Sequence, residues 1–187
     1  MPRQSGFAVW LTGLPAAGKT ILAEGLARAL RERNLTVQIL DSDSLRDVLT
    51  PEPTYTAEER AWFYRVVAFI AQLLTQNGID VIIAATANRR QYRGYARQAI
   101  ERFGEIYVRC PLETCMDRDE KGIYEQALNG NATTVPGLQV PYEPPEDPIV
   151  VVNTEVTAPR EGVERILTRL EEGAFLKSAP SQPQPPV

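Results

Sequence analysis

Histidine is absent from this sequence of 187 residues. Its absence excludes a Ser-His-Asp or Cys-His nucleophile, an imidazole general base and the usual zinc sites. Acid and base chemistry must therefore come from Asp, Glu, Lys or Tyr side chains.

Cysteine is nearly absent, since Cys110 and Cys115 are the only two. Their spacing matches neither a disulfide framework, nor a metal site, nor a CxxC redox motif. We expect both to be buried as small apolar side chains in a reduced, cytoplasmic protein.

The sequence also lacks a basic excess and long apolar runs. It has 20 Lys and Arg against 24 Asp and Glu, so we expect no nucleic-acid partner and only a local anion site. No apolar stretch approaches the ~18 residues of a membrane span, and we expect no targeting segment and no membrane partner. The 43% of hydrophobic residues suffice for the core of one domain.

Short apolar runs alternate with stretches of helical period. This alternation indicates the α/β fold class, with a mostly parallel five-stranded sheet flanked by helices. The predicted strands are Phe7–Thr12, Val37–Leu40, Asp80–Ala85, Glu105–Val108 and Ile149–Val152. The predicted helices are Lys19–Arg33, Glu58–Gln76, about Gln91–Phe103, and Pro159–Glu172.

The longest predicted helix carries start and stop signals. Thr56 and Glu59 form a capping box, and Asn77-Gly78 ends the helix. On spacing alone, its aromatic side chains are expected in the core: Trp62, Phe63 and Phe69.

Two segments fit neither helix nor strand. Asn129–Pro148 is rich in Gly, Pro, Asn and Thr, and is predicted to be a long surface loop near the working face. Residues 177–187 are rich in Pro, Ser and Gln, and are predicted to be a disordered tail. We therefore expect a single domain that comprises residues 1–176.

A phosphate-binding motif follows the first predicted strand and opens the first helix. Residues 13–20 read Gly-Leu-Pro-Ala-Ala-Gly-Lys-Thr, which matches G-x-x-x-x-G-K-[ST]. Gly13 and Gly18 let backbone N–H groups turn towards the phosphates of a nucleotide, Lys19 adds a positive charge, and Thr20 offers a hydroxyl to Mg²⁺. The alternative is a chance match, which four fixed positions give in roughly one chain in a hundred.

Two carboxylates follow the second predicted strand. Asp41 and Asp43 leave the sheet at the edge that carries the phosphate loop, where open α/β folds bind ligands. Such carboxylates orient metal-bound water or accept a proton from an attacking hydroxyl. The alternative is that Asp43 only caps the helix that it begins.

The third strand ends in Ala84–Asn88 without the aspartate that many motor and switch NTPases place there. Its absence favours a small-molecule kinase over a GTPase or a motor.

Six motifs together resemble adenylylsulfate kinases in their order and spacing. They are Gly13–Thr20, Leu40–Arg46, Tyr55–Arg60, Cys110–Cys115, Arg118–Tyr124 and Pro141–Glu146. The resemblance spans roughly residues 6–154, and it implies a three-layer P-loop NTPase fold with a lid at about 118–147. It also implies transfer of the γ-phosphate of Mg-ATP to the ribose 3′-hydroxyl of adenosine 5′-phosphosulfate in sulfate assimilation, with a homodimer as the expected assembly.

The resemblance also assigns roles by position. Asp43 corresponds to the proposed general base, and Asp41 joins Thr20 on the metal side; with Lys19 the two aspartates form the expected catalytic set. The residues expected on the ATP side are Gly13, Ala16, Ala17, Gly18, Lys19, Thr20, Ile21, Arg118 and Lys121. Those expected on the acceptor side are Asp41, Asp43, Arg46, Tyr55, Arg60, Phe63, Arg90, Thr134 and Val135.

Some acceptor-side positions depart from the family pattern. Phe63 replaces an asparagine that bonds the acceptor, Ala87 replaces a serine, and Thr134-Val135 replaces a Gly-Phe pair whose ring closes on the adenine. Losing one stacked ring weakens base binding by about 1–3 kcal/mol. Two alternatives follow, namely a paralogous kinase for another nucleotide-linked acceptor, such as a cytidine diphosphate derivative, and an inactive nucleotide-binding regulatory subunit.

Aromatic and basic residues near the site carry two interpretations each. Tyr55 either stacks on the acceptor's base or packs on the helix start as a staple residue. One face of the predicted helix carries Arg89, Arg93 and Arg97. This face either binds an anion or is exposed to solvent. For Arg97 we favour exposure to solvent. For Arg90 we favour a functional role.

Overall fold

A computed structural model describes residues 5–176. Its core is a five-stranded sheet of order β2-β3-β1-β4-β5 in which every neighbouring pair is parallel. The strands are β1 Ala8–Thr12, β2 Val37–Asp41, β3 Asp80–Ala84, β4 Phe103–Arg109 and β5 Val150–Asn153. The expected α/β class and parallel five-stranded sheet are confirmed.

Seven helices cover the two faces of the sheet within the described residues. They are α1 Lys19–Glu32, α2 Ser42–Leu49, α3 Ala57–Gln76, α4 Arg90–Ala99, α5 Leu112–Asp117, α6 Ile123–Leu128 and α7 Pro159–Glu172. Helix α1 packs with α7, and α3 packs with α4. The result is the expected three-layer arrangement.

Strand β1 suits the centre of the sheet because it has apolar residues on both of its faces. Val9 and Leu11 enter the core cluster that includes α1 and α7, whereas Ala8 and Trp10 enter the cluster that includes α3 and α4. All five residues of β1 are buried, as is typical of a strand covered on both faces. The carboxyl ends of the strands therefore meet at one edge, where the loops after them form the site.

Several boundaries differ from the sequence prediction. Strand β4 begins at Phe103, not at Glu105, because Phe103 pairs with Ala8 of β1. Helix α4 consequently ends at Ala99 rather than near Phe103. Helices α2, α5 and α6 were not predicted as full elements, since six to eight residues show too little of a 3.6-residue period.

The signals on α3 were placed correctly, but two of its aromatic residues were not. Thr56 Oγ1 accepts a hydrogen bond from Glu59 N at 3.2 Å, and Gly78 adopts φ +76° after the helix ends. Phe63 is fully buried as expected. The prediction that Trp62 and Phe69 lie in the core is wrong, since they are 50% and 56% exposed.

Segment 129–148 holds no helix or strand and has one isolated bridge, between Pro136 and Val140. The predicted tail, residues 177–187, lies outside the described residues. Both cysteines are buried and unbonded to each other, as predicted. Between residues 5 and 176, no helix is both long enough and apolar enough to cross a membrane.

Candidate active site

The loop Gly13–Thr20 has the backbone shape that the motif predicts. Gly18 adopts φ +93° and Ala16 φ +58°, both in the left-handed region. A Cβ on Gly13 would lie 2.2 Å from the backbone oxygen of Val108 on β4. Glycine at position 13 thus allows the loop to leave β1 close against its neighbour, and Gly18 starts α1.

Lys19 folds back over this loop. Its Nζ donates to Leu14 O at 2.8 Å and to Gly13 O at 3.2 Å. Desolvation under the loop lowers the pKa of Lys19 to about 8, although the nearby carboxylates Asp43 and Asp41 oppose the shift. The ammonium group is therefore held over the loop by two neutral carbonyl oxygens, which an anion can replace.

The first aspartate, not the second, caps α2. Asp41 Oδ1 accepts from the N–H groups of Asp43 at 3.0 Å and Ser44 at 3.2 Å. Its other oxygen, Oδ2, accepts from Thr20 Oγ1 at 3.4 Å. The alternative that Asp43 only caps the helix is thus wrong, and Asp41 ties the end of β2 to the start of α1.

Asp43 is left with its carboxylate directed at the opposite segment. Its Oδ2 lies 2.5 Å from Nζ of Lys121, and both side chains are about two-thirds exposed, at 62% and 64%. The hydrogen bond to Asp43 raises the pKa of Lys121 above its ordinary value. Two residues predicted on different sides of the site, acceptor and ATP, are therefore in contact.

Arg46 lies in a nearly closed pocket on α2. Its Nη1 donates to Glu59 Oε1 at 3.0 Å and to Thr50 Oγ1 at 3.3 Å. Its Cζ lies 3.9 Å from the centre of the Phe63 ring and 4.9 Å from that of Tyr55. Within residues 5–176, Nε and Nη2 of Arg46 have no hydrogen-bond partner, so one edge of the guanidinium is open to a ligand.

Tyr55 is held in place through both of its backbone groups. Its N–H donates to Glu59 Oε2 at 3.2 Å, and its carbonyl accepts from Arg60 Nε at 3.0 Å. These bonds fix a left-handed backbone, φ +53°, and leave the side chain 40% exposed. The ring lies 5.4 Å from Cζ of Arg60, five residues further along, which is the position that a staple residue contacts. Tyr55 therefore packs on the helix start, and its stacking on the acceptor's base stays a prediction.

Glu59 organises this group of side chains. Besides Arg46 and Tyr55, it accepts from the backbone and the hydroxyl of Thr54. Burial raises the pKa of Glu59, but the hydrogen bonds from Thr54 and the charge of Arg46 outweigh it, and the net pKa is lowered. Sequence reasoning saw only a capping residue here, because the capping-box motif says nothing of the other carboxylate oxygen.

Phe63 and Val135 lie in the core, not at the surface of the site. Phe63 is 0% exposed and Val135 6%. The structure therefore corrects the expectation that these two side chains contact the acceptor directly. Thr134 remains at the site, where its carbonyl accepts from Arg60 Nη2 at 2.8 Å.

The segment after β4 contacts the phosphate loop directly through Tyr124 and indirectly through Arg118. Tyr124 Oη donates to Pro15 O at 3.0 Å. Arg118 Nη2 donates to Thr154 O at 3.0 Å, and Thr154 Oγ1 donates to Ala17 O at 2.8 Å. Thr154, at the end of β5, had no motif to reveal it, whereas Ile21, predicted on the ATP side, is exposed on the first turn of α1.

Arg90 makes contacts that the sequence did not predict, whereas its acceptor role stays a prediction. It donates to Pro144 O at 2.7 Å and to Glu146 Oε1 at 2.7 Å, and its N–H donates to Glu143. These bonds hold the strap Pro141–Glu146 on the start of α4, so the structure shows Arg90 positioning the strap.

The other arginines of α4 serve the fold. Arg93 is fully buried and donates to Glu105 Oε2 at 2.7 Å, while Arg97, about half exposed, donates to Glu105 Oε1 at 2.7 Å. Arg89 is exposed at the N-cap. The interpretation of this helix face as an anion grip is therefore wrong for Arg93, and the solvated interpretation holds for Arg97.

A cavity of about 500 Å³ opens beside the phosphate loop. Leu14 lines one side, and Gly137 to Tyr142 line the other. Tyr142 is fixed there by a 3.0 Å hydrogen bond between its hydroxyl and Thr12 Oγ1, and its ring stacks on Tyr107. The cavity is shallow and widely open to solvent.

Comparison with known proteins gives a consistent result. The family model described as adenylylsulphate kinase matches residues 5–153. A probable adenylyl-sulfate kinase of Pyrococcus abyssi is 40% identical over 171 residues, which are 91% of this chain and 98% of the relative.

Two solved structures are similar as well. The APS kinase of Mycobacterium tuberculosis in complex with AMPPNP and APS has a TM-score of 0.84 at 30% identity, over 89% of this chain and 98% of that one. The hexameric APS kinase of Thiobacillus denitrificans has a TM-score of 0.70 at 32% identity, over 94% of this chain and 31% of that one.

Proposed function

Since this chain belongs to the adenylylsulfate kinase family, we propose that it transfers the γ-phosphate of ATP to the 3′-hydroxyl of adenosine 5′-phosphosulfate. The product is 3′-phosphoadenosine 5′-phosphosulfate. The observation that carries the proposal is the meeting of the Gly13–Thr20 loop with Asp41 and Asp43 at one sheet edge, bridged by the 3.4 Å contact of Thr20 with Asp41.

The phosphate loop binds the triphosphate. Lys19 exchanges the carbonyls of Gly13 and Leu14 for phosphate oxygens, and the amide groups at the start of α1 point to the same place. This positive environment stabilises the charge that develops on the transferred group.

The residues at this position also fit Mg²⁺. Thr20 Oγ1 and Asp41 Oδ2 supply two hard oxygen atoms close together, which is the donor type that Mg²⁺ prefers. Across residues 5–176 no cluster of three metal-ligating side chains occurs, as expected where phosphates and water complete the coordination. When bound, Mg²⁺ neutralises phosphate charge.

Asp43 acts as the general base. Its carboxylate is exposed and makes no capping hydrogen bond, since Asp41 provides the cap. A carboxylate in this position accepts the proton of the acceptor's hydroxyl as the γ-phosphate is transferred. Lys121 leaves Asp43 for the phosphates when ATP binds.

Arg46 and Arg60 hold the acceptor's anionic group. The guanidinium of Arg46, with its open edge, lies over the exposed ring of Tyr55, 4.9 Å from Cζ to ring centre. Guanidinium groups bind oxyanions in two-point geometry, and aromatic rings bind bases by stacking. We therefore place the phosphosulfate on the arginines and the adenine near Tyr55.

Segment 118–147 acts as a lid on the domain of residues 1–176. Two of its contacts reach the acceptor side, namely Lys121 with Asp43 and Thr134 with Arg60. Tyr124 and the strap anchor the segment to the phosphate loop and to α4. Closure excludes water, which competes with the acceptor for the phosphoryl group.

A second copy of the chain covers part of α3. Trp62, Phe69 and Leu73 recur at helical spacing on one face of α3 and are 50%, 56% and 44% exposed. Contiguous exposed apolar side chains mark interaction surfaces, and a similar kinase is described as hexameric. We propose a homodimer in the cytoplasm, where reduced, buried cysteines are typical.

Kinase assays test the proposed reaction. The purified chain is incubated with Mg-ATP and adenosine 5′-phosphosulfate, and ADP and the 3′-phosphorylated product are measured by chromatography. A panel of cytidine and other nucleotide-linked acceptors runs in parallel. Turnover of another acceptor without turnover of the phosphosulfate would reject the proposal. Lys19→Ala is the negative control, since it should not use ATP with any acceptor.

A further inference from the structure

We propose that Phe63 is a positioning residue that holds Arg46 flat and in register for the acceptor. The inference rests on the proposed function, since it assigns to this buried ring the task of preparing the anion-binding arginine. Phe63 has no polar atom and no exposed surface, so it cannot act on a ligand except through a neighbour.

The contact between the two side chains is close and specific. Arg46 Cζ lies 3.9 Å from the centre of the Phe63 ring, the shortest such distance among the arginines in residues 5–176. The Arg46 side chain is 9% exposed. A guanidinium stacked on an aromatic face away from water is held more strongly than an exposed one.

Glu59 restricts the remaining rotation of the Arg46 guanidinium. It accepts from Nη1 at 3.0 Å, which sets the rotation of the guanidinium in its plane, while the ring of Phe63 sets the plane itself. Nε and Nη2 stay without partners in the described part of the chain and form one open edge. A planar fork whose position is set before binding loses less entropy on binding an oxyanion.

The ring of Phe63 is itself immobilised. It packs edge to face against Tyr64, with centroids 5.3 Å apart, and it belongs to the core cluster between α3, α4 and the sheet. The ring of Phe63 therefore has a fixed position against the guanidinium. An aliphatic side chain of similar size would fill the space without attracting the cation.

The test compares acceptor kinetics in Phe63→Leu, Phe63→Tyr and the wild type. In Phe63→Leu we expect the KM for adenosine 5′-phosphosulfate to rise about tenfold, with kcat and the KM for ATP changing less than threefold. Phe63→Tyr keeps the aromatic face and should restore an acceptor KM near that of the wild type. If Phe63→Leu does not fold, Phe63→Met takes its place.

Phe7→Leu is the matched control for loss of a buried ring. Phe7 is 1% exposed, makes an edge contact with Phe175, and has Arg102 at 5.8 Å from its centroid, on the other face of the sheet. We expect this variant to melt earlier without a change in acceptor KM. Equal acceptor KM in Phe63→Leu and Phe7→Leu would show that Phe63 is only a core residue.

A double-mutant cycle shows whether Phe63 acts through Arg46. In an Arg46→Ala background, Phe63→Leu should change the acceptor KM less than twofold, because no guanidinium remains to be positioned. A further tenfold rise would overturn the inference. If the wild type does not turn over the phosphosulfate, the proposed function fails and the inference falls with it, whereas turnover with unchanged KM in Phe63→Leu refutes the inference alone.

Discussion

Lys121 Nζ lies 2.5 Å from Asp43 Oδ2, although the two residues are 78 positions apart in the chain. The contact joins the lid segment to the expected base. An acceptor hydroxyl can reach this oxygen only after Lys121 moves, and the negative charge of a triphosphate attracts the ammonium group away.

The first prediction concerns the base itself. Asp43→Asn should lower kcat by about a thousandfold, because an amide cannot accept the proton. The Kd for ATP, measured by calorimetry, should stay within threefold of the wild type. Asp47→Asn is the control, since Asp47 is exposed one turn further along α2. An unchanged kcat in Asp43→Asn would remove this residue from the base role.

The second prediction follows from the two tasks of Asp41. Asp41→Ala removes the N-cap of α2 and should lower the free energy of unfolding by about 1 kcal/mol. Asp41→Asn keeps a capping oxygen and should be less destabilised. Both variants should lose kcat, since the amide is a poor substitute for the carboxylate near Mg²⁺.

Chemical denaturation and kinase assays separate these effects. The free energy of unfolding should depend on whether residue 41 has a capping oxygen, and kcat should depend on whether it has a negative charge. Parallel losses of stability and kcat across the two variants would mean that the capping role alone explains the residue.

The third prediction uses the lowered pKa of Lys19. Because this pKa is about 8 in the free protein, Lys19 is mostly neutral at pH 9. Phosphates favour the charged form, so binding of ATP at pH 9 should take up close to one proton, and affinity should fall as the pH rises above 8.

Calorimetry in two buffers with different ionisation enthalpies measures this proton uptake. Lys19→Met should abolish it. The same shift affects stability, since the unfolded chain, with a pKa of 10.5, binds more protons between pH 8 and pH 10.5. The lowered pKa of Lys19 therefore reduces the free energy of unfolding to its full extent below pH 8, and this reduction becomes smaller as the pH rises. No proton uptake in the wild type would contradict the lowered pKa.

Much of the site could be predicted because its motifs are local in sequence. The loop Gly13–Thr20 and the pair Asp41 and Asp43 each lie within a few residues of a strand end, and a parallel sheet brings strand ends together. The alternative that Asp43 caps the helix was wrong, because Asp41 and Asp43 are equally suited to an N-cap and only the exact end of β2 decides between them.

Contacts between distant segments escaped the sequence analysis. Arg90 binds the strap through Pro144 and Glu146, 54 and 56 residues away, and no local motif indicated that contact. The exposure of Trp62 and Phe69 was missed for a related reason. Helical period identifies apolar faces, but it does not show whether a face meets the same chain or another one.

The fourth prediction tests the lid lysine. Lys121→Met should raise the KM for ATP about tenfold and lower kcat, because the positive charge on the phosphates is lost. Arg160→Met is the control, since it removes an exposed ion pair with Glu164 on α7, far from the loop. If Lys121→Met instead raised kcat at saturating ATP, Lys121 would only restrain Asp43.

The last prediction concerns the exposed face of α3. Light scattering should give the wild type the molar mass of two 20.8 kDa chains. Phe69→Glu should give one chain, because burying a carboxylate against apolar side chains is strongly unfavourable. Val156→Glu, at another exposed apolar residue (76%), should remain a dimer. A monomeric wild type would exclude the dimer. A dimer that survives Phe69→Glu would place the interface elsewhere, because the exposed apolar face of α3 is then in contact with solvent.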